Sequence, residues 1–126
     1  MKKTIFTEDA PKPIGPYSQA ILAGNTLYCS GQIPIDPKTG EMIGKNVREQ
    51  TEQVIKNISA VLSAAGLTFD NVVKTTCFLA NMSDFAEFND VYKNYFTSAP
   101  ARSCVAAAAL PKGALVEVEV IAVKED

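Results

Sequence analysis

Histidine is absent from this sequence of 126 residues, and its absence excludes several function classes at once. Without an imidazole there is no Ser-His or Cys-His nucleophile pair, and the common histidine-based metal sites are excluded as well. The usual general base of a metal-free ribonuclease is also missing. Any catalysis must therefore use carboxylates, arginine, tyrosine, lysine, backbone groups or water.

A surplus of positive charge is also missing, and so is any long apolar run. The 12 basic and 14 acidic side chains give a formal net charge of −2, which offers no basic patch for nucleic acid. The apolar runs are far too short to cross a bilayer. Lys2 and Lys3 resemble the start of a secretion signal, but Glu8, Asp9 and Pro11 follow immediately. We therefore expect no secretion signal, and no membrane or nucleic-acid partner.

Cysteine is scarce and shows no pairing pattern. The three cysteines, Cys29, Cys77 and Cys104, have wide and unrelated spacings in strand-like apolar contexts. An odd number without a framework argues for free thiols in a reducing compartment. We therefore expect a cytoplasmic protein without disulfides.

The residues that are present predict an ordinary folded protein. Hydrophobic residues make up 47% of the chain and charged residues 21%, and the length predicts one domain over residues 1–126. Pro11, Pro13 and Pro16 predict a stiff extended segment that aims the residues after it, beginning with Tyr17.

Two elements follow in the first half of the chain. Gly24 and Asn25 have the spacing of a two-residue hairpin turn between β-prone stretches at 20–23 and 26–30. Asn46 and Glu49 have the spacing of a capping box, and Gly66 can end the helix that begins there. The apolar stripe of that helix recurs at three- and four-residue steps: Val47, Thr51, Val54, Ile55, Ile58, Val61, Leu62 and Ala65.

The second half predicts strand, helix, strand and strand. The strands are expected over 71–80, 101–109 and 115–123, with a helix beginning at Asn81 or Ser83. In the last strand Glu117 and Glu119 share one face. The opposite face of that strand carries Val116, Val118, Val120 and Ala122. The helix carries an aromatic stripe made of Phe85, Phe88, Tyr92, Tyr95 and Phe96.

Together these elements predict an α+β fold in which two long helices pack on one face of a mixed β-sheet. Helices on one side leave the other face of the sheet without cover. Residues 120–123 are apolar on both faces of the last strand. We therefore predict an oligomer that assembles through this second face.

Arg102 is the most informative single residue. It stands at the start of a small and apolar run, residues 103–109, which predicts a buried strand. A buried guanidinium cannot lose its proton, so it needs an anion. From the pattern alone that anion is either a structural carboxylate, Glu117 or Glu119, or a bound ligand.

Four motifs carry a resemblance to a known family. They are Gly15-Pro16-Tyr17-Ser18-Gln19-Ala20, then Ser30-Gly31-Gln32, then the span 89–96, and last Pro100-Ala101-Arg102-Ser103-Cys104-Val105 with Leu110-Pro111-Lys112-Gly113 and Glu117-Val118-Glu119. On these motifs the chain resembles the RidA/YjgF family of reactive-intermediate deaminases, nearly from end to end. The resemblance implies a chorismate-mutase-like subunit in a homotrimer with clefts between subunits. It also implies hydrolysis of 2-imino acids, such as 2-iminobutanoate and 2-iminopropanoate, to 2-keto acids and ammonia.

The same resemblance implies which residues form the site. Arg102 would bind the substrate carboxylate with its planar fork, and Glu117 would position and deprotonate the attacking water. It implies neither a cofactor nor a metal, and its partners are the imino acid and the neighbouring subunits. The substrate-binding residues carried over by position are Tyr17, Ser30, Asn89, Arg102 and Cys104. From the residues alone, two plainer interpretations stay open, namely an ordinary half-buried aromatic for Tyr17 and a solvated amide for Asn89.

Other chemical roles and functions are weaker. Cys104 lacks the histidine partner that a nucleophilic cysteine needs. Glu117 and Glu119 could bind a metal ion only with a third ligand, which the sequence does not offer. Lys112 beside Gly113 is typical of a solvated turn rather than of a Schiff-base lysine. One competing function is a non-enzymatic regulator or chaperone-like trimer whose cleft binds a small carboxylic acid. Another is an endoribonuclease, against which the missing histidine and the net charge both count.

Overall fold

The computed structural model of the chain describes residues 1–125, which form six strands and two α-helices. In chain order the elements are β1 (Lys2–Ile5), β2 (Ala20–Ala23), β3 (Thr26–Cys29), α1 (Val47–Ala64), β4 (Val72–Leu79), α2 (Phe85–Tyr92), β5 (Ala101–Ala106) and β6 (Val116–Val123).

The six strands form one mixed sheet in the order β1-β2-β3-β6-β4-β5. Neighbouring strands run antiparallel except β4 and β5, which run parallel. A parallel pair needs a crossover connection, and the segment that contains α2 supplies it. The predicted hairpin is present, because β2 and β3 pair around Gly24 and Asn25. The predicted α+β fold with a mixed sheet is therefore confirmed.

The first helix begins and ends where the sequence predicts. Asn46 is its N-cap, and the side-chain Oδ1 accepts a hydrogen bond from the backbone N–H of Glu49 at 2.9 Å. The Glu49 carboxylate accepts from the N–H of Lys45 at 2.8 Å, so only half of the predicted capping box forms. Gly66 follows the helix with a φ of 76°, the left-handed conformation in which helices commonly end.

One face of the sheet is covered by helix, and the side chains of β6 show which face that is. Helix α1 packs against β6 and α2. As predicted, the side chains of β6 alternate along the strand. The members of its buried row are Val116, Val118, Val120 and Ala122.

The other face of the sheet, here called the open face, carries the second row of β6, which includes Glu117 and Glu119. The strand register places Val105 of β5 in the same row as Phe78 of β4 and Glu117. Val105 is 50% exposed, and Tyr28 on β3 is 52% exposed. Apolar side chains exposed in one area of a sheet are typical of an interaction surface, which agrees with the predicted oligomer.

The strand predicted over 101–109 is present but shorter, and it is not buried within this chain. Strand β5 ends at Ala106, and of its six residues only Cys104 is partly buried. The physical reason is position, because β5 is an edge strand that pairs with β4 alone. Arg102 therefore lies exposed at the edge of the sheet in this chain.

Helix α2 is shorter than its aromatic stripe predicts. It contains eight residues, follows a 3₁₀ turn at 82–84 and ends at Tyr92. Tyr95 and Phe96 lie just beyond the helix. Phe96 still stacks on Tyr92, with ring centroids 4.4 Å apart, so the stripe continues as packed rings after the helix has ended.

Candidate active site

The first group of candidate residues lies at the edge of the sheet, where β5 meets α2. Arg102 and Cys104 are in register with Thr75 and Cys77 of β4, which places them on the helix-covered face. Asn89 projects from α2 beside them. We call Arg102, Asn89 and Cys104 the arginine half-site.

The Arg102 guanidinium is held by one hydrogen bond and two aromatic rings. Its Nη1 donates to Oδ1 of Asn89 at 2.7 Å. Its Cζ lies 4.8 Å from the centroid of the Tyr92 ring and 5.4 Å from that of Phe85. These distances are typical of cation–π contacts, so the group is oriented before any ligand arrives.

Arg102 forms no ion pair with any residue of 1–125, so the interpretation in which Glu117 or Glu119 is its structural partner is wrong within this chain. Ion pairs nearby involve Arg48 instead, which bridges to Asp90 at 2.7 Å. The charge of Arg102 and most of its planar fork are therefore available to an anion from outside the chain.

Asn89 is partly buried and bonded, as an amide at the edge of an apolar stripe requires. The plainer interpretation, a fully solvated amide, is wrong. Because its Oδ1 accepts from Arg102, its Nδ2 is left as a donor next to that hydrogen bond. A carboxylate bound by Arg102 could receive that third N–H group.

The Cys104 thiol is not activated. Burial raises its pKa, and the nearby charge of Arg102 opposes this only in part. The thiol is therefore protonated at neutral pH, whereas attack requires the thiolate. Burial also raises the pKa of Cys29 and of Cys77 to about 12, and all three cysteines are free, as expected.

The second group of candidate residues lines a cavity of about 470 Å³. Tyr17, Ser30 and Glu117 share its wall, and we call these three the carboxylate half-site. The Ser30 hydroxyl donates to the carbonyl of Ser18 at 2.6 Å, which holds the segment after the proline-rich stretch against the end of β3. Tyr17 is 53% exposed, which fits the plainer interpretation of a half-buried aromatic, and it also lines the cavity.

Glu117 has the properties of a group that can handle a proton. Burial raises the pKa of its carboxyl, and the nearby charge of Glu119 raises it further. A carboxylate with a raised pKa is a stronger base than an ordinary one. Glu119 lies beside it on the same face but is exposed. A place on the open face is therefore not enough to bury a carboxylate, and the partial burial of Glu117 comes from the wall of the cavity.

The structure does not bring the two half-sites together within the chain. The register pairs Arg102 with Thr75 and Val120 on the helix-covered face, whereas Glu117 belongs to the open face. Side chains on opposite faces of a sheet cannot contact the same small molecule. Each chain therefore carries two incomplete halves of the set that the sequence predicts.

Sequence reasoning missed Gln19 as a supporting residue. Gln19 is only 2% exposed and lines the same cavity. Its Oε1 accepts from the N–H of Thr7 at 2.8 Å, and its Nε2 donates to the carbonyls of Thr7, Ala10 and Pro11 at 3.0, 3.3 and 2.9 Å. One buried amide thus anchors the whole segment before Tyr17. The available signal was a glutamine directly before a β-prone run.

Gln19→Leu is expected to lower the free energy of unfolding by about 2–4 kcal/mol, because buried backbone groups of residues 7–11 lose their partners. Denaturant unfolding measures this. Gln53→Leu is the control, since Gln53 is less buried and makes fewer contacts. Equal stability losses in the two variants would contradict the anchoring role.

Gly31 is the second residue that sequence reasoning left without a role. A Cβ at this position would lie 2.9 Å from Cδ of Glu117, with one carboxylate oxygen, Oε2, closer still. Only glycine leaves room for the Glu117 side chain in its observed position. The motif Ser30-Gly31-Gln32 marked this position in the sequence, but it did not show that a side chain here would collide with Glu117.

Gly31→Ala is expected to displace Glu117 and to lower any activity that depends on it by at least about tenfold, since misplacing a reacting group is costly. The double variant Gly31→Ala/Glu117→Ala tests the cause, because removal of the carboxylate removes the clash. We expect Gly31→Ala to lower the melting temperature in the wild-type background and to leave it unchanged in the Glu117→Ala background. The same loss in both backgrounds would contradict a steric role.

Within residues 1–125, no three His, Cys, Asp or Glu side chains are grouped so that they could hold a metal ion. The same residues include no helix long and apolar enough to span a membrane.

The fold and the two half-sites define a class of protein: an α+β subunit with an oriented arginine at the edge of its sheet and a separate carboxylate of raised pKa beside a cavity. Comparison with known proteins adds the family. The family described as Endoribonuclease L-PSP matches residues 7–124. The chain belongs to this family, which is the RidA/YjgF family identified from its motifs.

Relatives in the family carry different names. The chain is 49% identical over 125 residues to the 2-iminobutanoate/2-iminopropanoate deaminase of Mus musculus, covering 98% of this chain and 93% of the relative. It is 54% identical over 121 residues to a Lactococcus lactis protein described as a regulator, AldR, covering 95% of this chain and 96% of the relative. The crystal structure of E. coli TdcF with bound serine superposes with a TM-score of 0.93 at 42% identity, covering 98% of this chain and 99% of that one.

Proposed function

We propose that this protein hydrolyses reactive 2-imino acids, such as 2-iminobutanoate and 2-iminopropanoate, to 2-keto acids and ammonia. The observation that carries the proposal is an oriented Arg102 without an acidic partner in residues 1–125. Such an arginine suits a substrate with a carboxylate next to the reacting carbon. The imine deaminase from mouse and the serine-bound relative support a substrate of this kind.

The complete site is proposed to form between subunits of a homotrimer. The arginine half-site of one subunit would face the carboxylate half-site of its neighbour, because the two lie on opposite faces of the sheet in one chain. The exposed apolar side chains of the open face, Tyr28 and Val105, would then be buried against neighbouring subunits.

The chemistry needs only groups that the chain supplies. Arg102 binds the substrate carboxylate through two charge-assisted hydrogen bonds, and the Asn89 amide donates a third. Tyr17, Ser30 and the backbone around Cys104 would shape the rest of the pocket. These contacts fix the position of the electrophilic carbon.

The hydrolytic step follows from the position of Glu117. Its carboxylate takes a proton from water as the oxygen attacks the protonated imine, and the electron pair of the C=N bond moves to nitrogen. The proton then returns from Glu117 to that nitrogen. The C–N bond breaks, ammonia leaves, and the hydroxyl loses its proton to solvent as the C=O bond forms.

The proposed activity is tested by following imine decay. An amino-acid dehydratase generates 2-iminobutanoate or 2-iminopropanoate in situ, and the rate of disappearance is compared with and without this protein. We expect faster decay and a matching yield of 2-keto acid and ammonia. Decay at the uncatalysed rate across a panel of amino-acid-derived imines would overturn the proposal.

A second candidate, a regulator that senses a small carboxylic acid, is favoured by one observation, the 54% identity to a relative described as a regulator. Both functions use Arg102 to bind a carboxylate, and they differ in turnover. Carboxylate binding measured by calorimetry without any imine turnover would favour the regulator. Ribonuclease activity that persists after replacement of both Arg102 and Glu117 would indicate contamination.

Val105→Glu is expected to dissociate the proposed trimer, because it places a charge at an exposed apolar position of the open face that the proposed interface would bury. Light scattering measures the mass of the assembly, and imine decay should fall with it. Met82→Glu is the matched control, since Met82 is 46% exposed on a turn outside the sheet. A Val105→Glu protein with an unchanged mass would contradict assembly through this face.

A further inference from the structure

We infer that Tyr92, held by Thr75, is a positioning residue that sets the orientation of the Arg102 guanidinium for its carboxylate ligand. The inference rests on the proposed function of the arginine half-site and extends it to two residues outside that set. Neither contacts the ligand in this interpretation.

The ring of Tyr92 forms a rigid surface against which the guanidinium rests. Tyr92 is 7% exposed, whereas Arg102 is exposed, so the ring is part of the core and the charge lies at its border. Phe96 stacks on the ring with centroids 4.4 Å apart and an interplanar angle of 23°. Phe88 packs against it at 5.5 Å. The ring therefore has little freedom to move.

The hydroxyl of Tyr92 ties this surface to the strand next to Arg102. It shares a hydrogen bond of 2.8 Å with Oγ1 of Thr75, which is 0% exposed. Thr75 is the register partner of Arg102 across β4 and β5. The same pair of strands thus fixes both the backbone of Arg102 and the ring beneath its guanidinium.

The remaining contacts show why a surface is needed. Arg102 lies on an edge strand, with one hydrogen bond to Asn89 at 2.7 Å and no ion pair within residues 1–125. An exposed arginine has many rotamers, and each must be given up when a ligand binds. A fixed aromatic surface reduces that loss in advance, which is the general benefit of preorganisation.

The test measures the Kd of the unreactive product 2-oxobutanoate by calorimetry, together with KM and kcat for imine decay. Tyr92→Leu removes the ring and with it the cation–π contact to Arg102. We expect Kd and KM to rise roughly three- to tenfold, which is the size of effect that one cation–π contact at the protein surface can account for. The kcat at saturation should change less than twofold. Arg102→Ala serves as the reference background, in which Tyr92→Leu should have no further effect on Kd.

The hydroxyl is tested separately with variants that keep the core filled. Tyr92→Phe and Thr75→Val each break the hydrogen bond and are expected to raise Kd about two- to threefold. The double variant should raise Kd no more than either single one, and Thr75→Ser should restore it. Phe69→Leu is the control for general loosening, because the Phe69 ring packs edge-to-face against Phe96 and is not one of the two rings that contact Arg102.

The outcomes separate the inference from the proposed function. An unchanged Kd in Tyr92→Leu overturns the inference while imine turnover stands. A rise in Kd that persists in the Arg102→Ala background also overturns it, since the effect would not act through Arg102. If the wild type binds 2-oxobutanoate but has no imine turnover, the proposed function fails and the Kd series still decides the inference. If it neither binds the keto acid nor accelerates decay, both fail.

Discussion

Replacement of Arg102 by alanine is expected to lower kcat/KM for imine decay by roughly 10²–10⁴-fold, because two hydrogen bonds to a charged carboxylate are lost, each contributing about 1.5–3 kcal/mol. Most of the loss should appear in KM and in the Kd for 2-oxobutanoate. Arg102→Lys should recover only a small part, since an ammonium cannot form the planar two-point contact. Steady-state kinetics with in situ imine generation measures the effect.

The control for Arg102→Ala is Arg48→Ala, which removes another exposed arginine. Arg48 bridges to Glu87 and Asp90 on α2 and has no place in either half-site. We expect Arg48→Ala to keep near wild-type kinetics. Arg102→Ala should also keep the mass of the assembly, because the proposed interface is formed by apolar side chains of the open face such as Val105, whereas Arg102 lies on the opposite face. Full activity in Arg102→Ala would contradict the mechanism.

Glu117→Gln is expected to lower kcat by about 10²–10⁴-fold with little change in KM, because a positioned general base contributes that much and glutamine keeps the shape without the basicity. Glu119→Gln is the matched control, because Glu119 lies two residues further along β6 on the same face. It should keep kcat within a factor of about two. Equal losses in both variants would indicate a general effect of charge on the open face.

The pH dependence of the reaction gives a second test of Glu117. The base must be ionised to accept a proton from water, so activity should fall on acidification as Glu117 becomes protonated. Burial and Glu119 raise the pKa of Glu117 above its ordinary value of 4.5, so the fall should begin at a higher pH than an ordinary glutamate gives. Glu119→Gln should move the fall to lower pH. A profile without an acid limb would exclude Glu117 as the base.

The same pKa separates catalysis from stability. Since the folded state raises the pKa of Glu117, its favourable contribution to folding is complete at low pH and is lost as pH rises through the folded pKa. Glu117→Gln should therefore not lower the free energy of unfolding at neutral pH. Loss of kcat with unchanged or increased stability is the combination expected of a catalytic carboxylate.

The sequence predicted the elements that depend on local chemistry. The apolar stripe of α1 between Asn46 and Gly66 has a helical period, caps at both ends and no competing pattern, so the helix forms where expected. Side chains alternate along β6 with a period of two. Glu117 and Val118 therefore lie on opposite faces of the sheet, independently of the other elements.

The sequence failed where burial depends on neighbours. Small and apolar residues after Arg102 predicted a buried strand, yet β5 lies at the sheet edge and is exposed. The aromatic stripe predicted a longer α2, yet the rings after Tyr92 pack without a helix. An apolar segment is expected to be buried, but its composition does not show whether residues of the same chain or of a neighbouring subunit bury it.

The amino-acid sequence by itself determined the chemistry open to this protein. The missing histidine excludes imidazole chemistry, and Arg102 before an apolar run together with the motifs of the RidA/YjgF family predicts a site built on arginine and carboxylate groups. Only the tertiary structure decided how those groups are arranged. Strand order and register place Arg102 on one face of the sheet and Glu117 on the other, because side chains alternate about a strand and cannot cross it. Buried supports such as Gln19 and Tyr92 also became visible only in three dimensions, since their partners are distant along the chain or in another element.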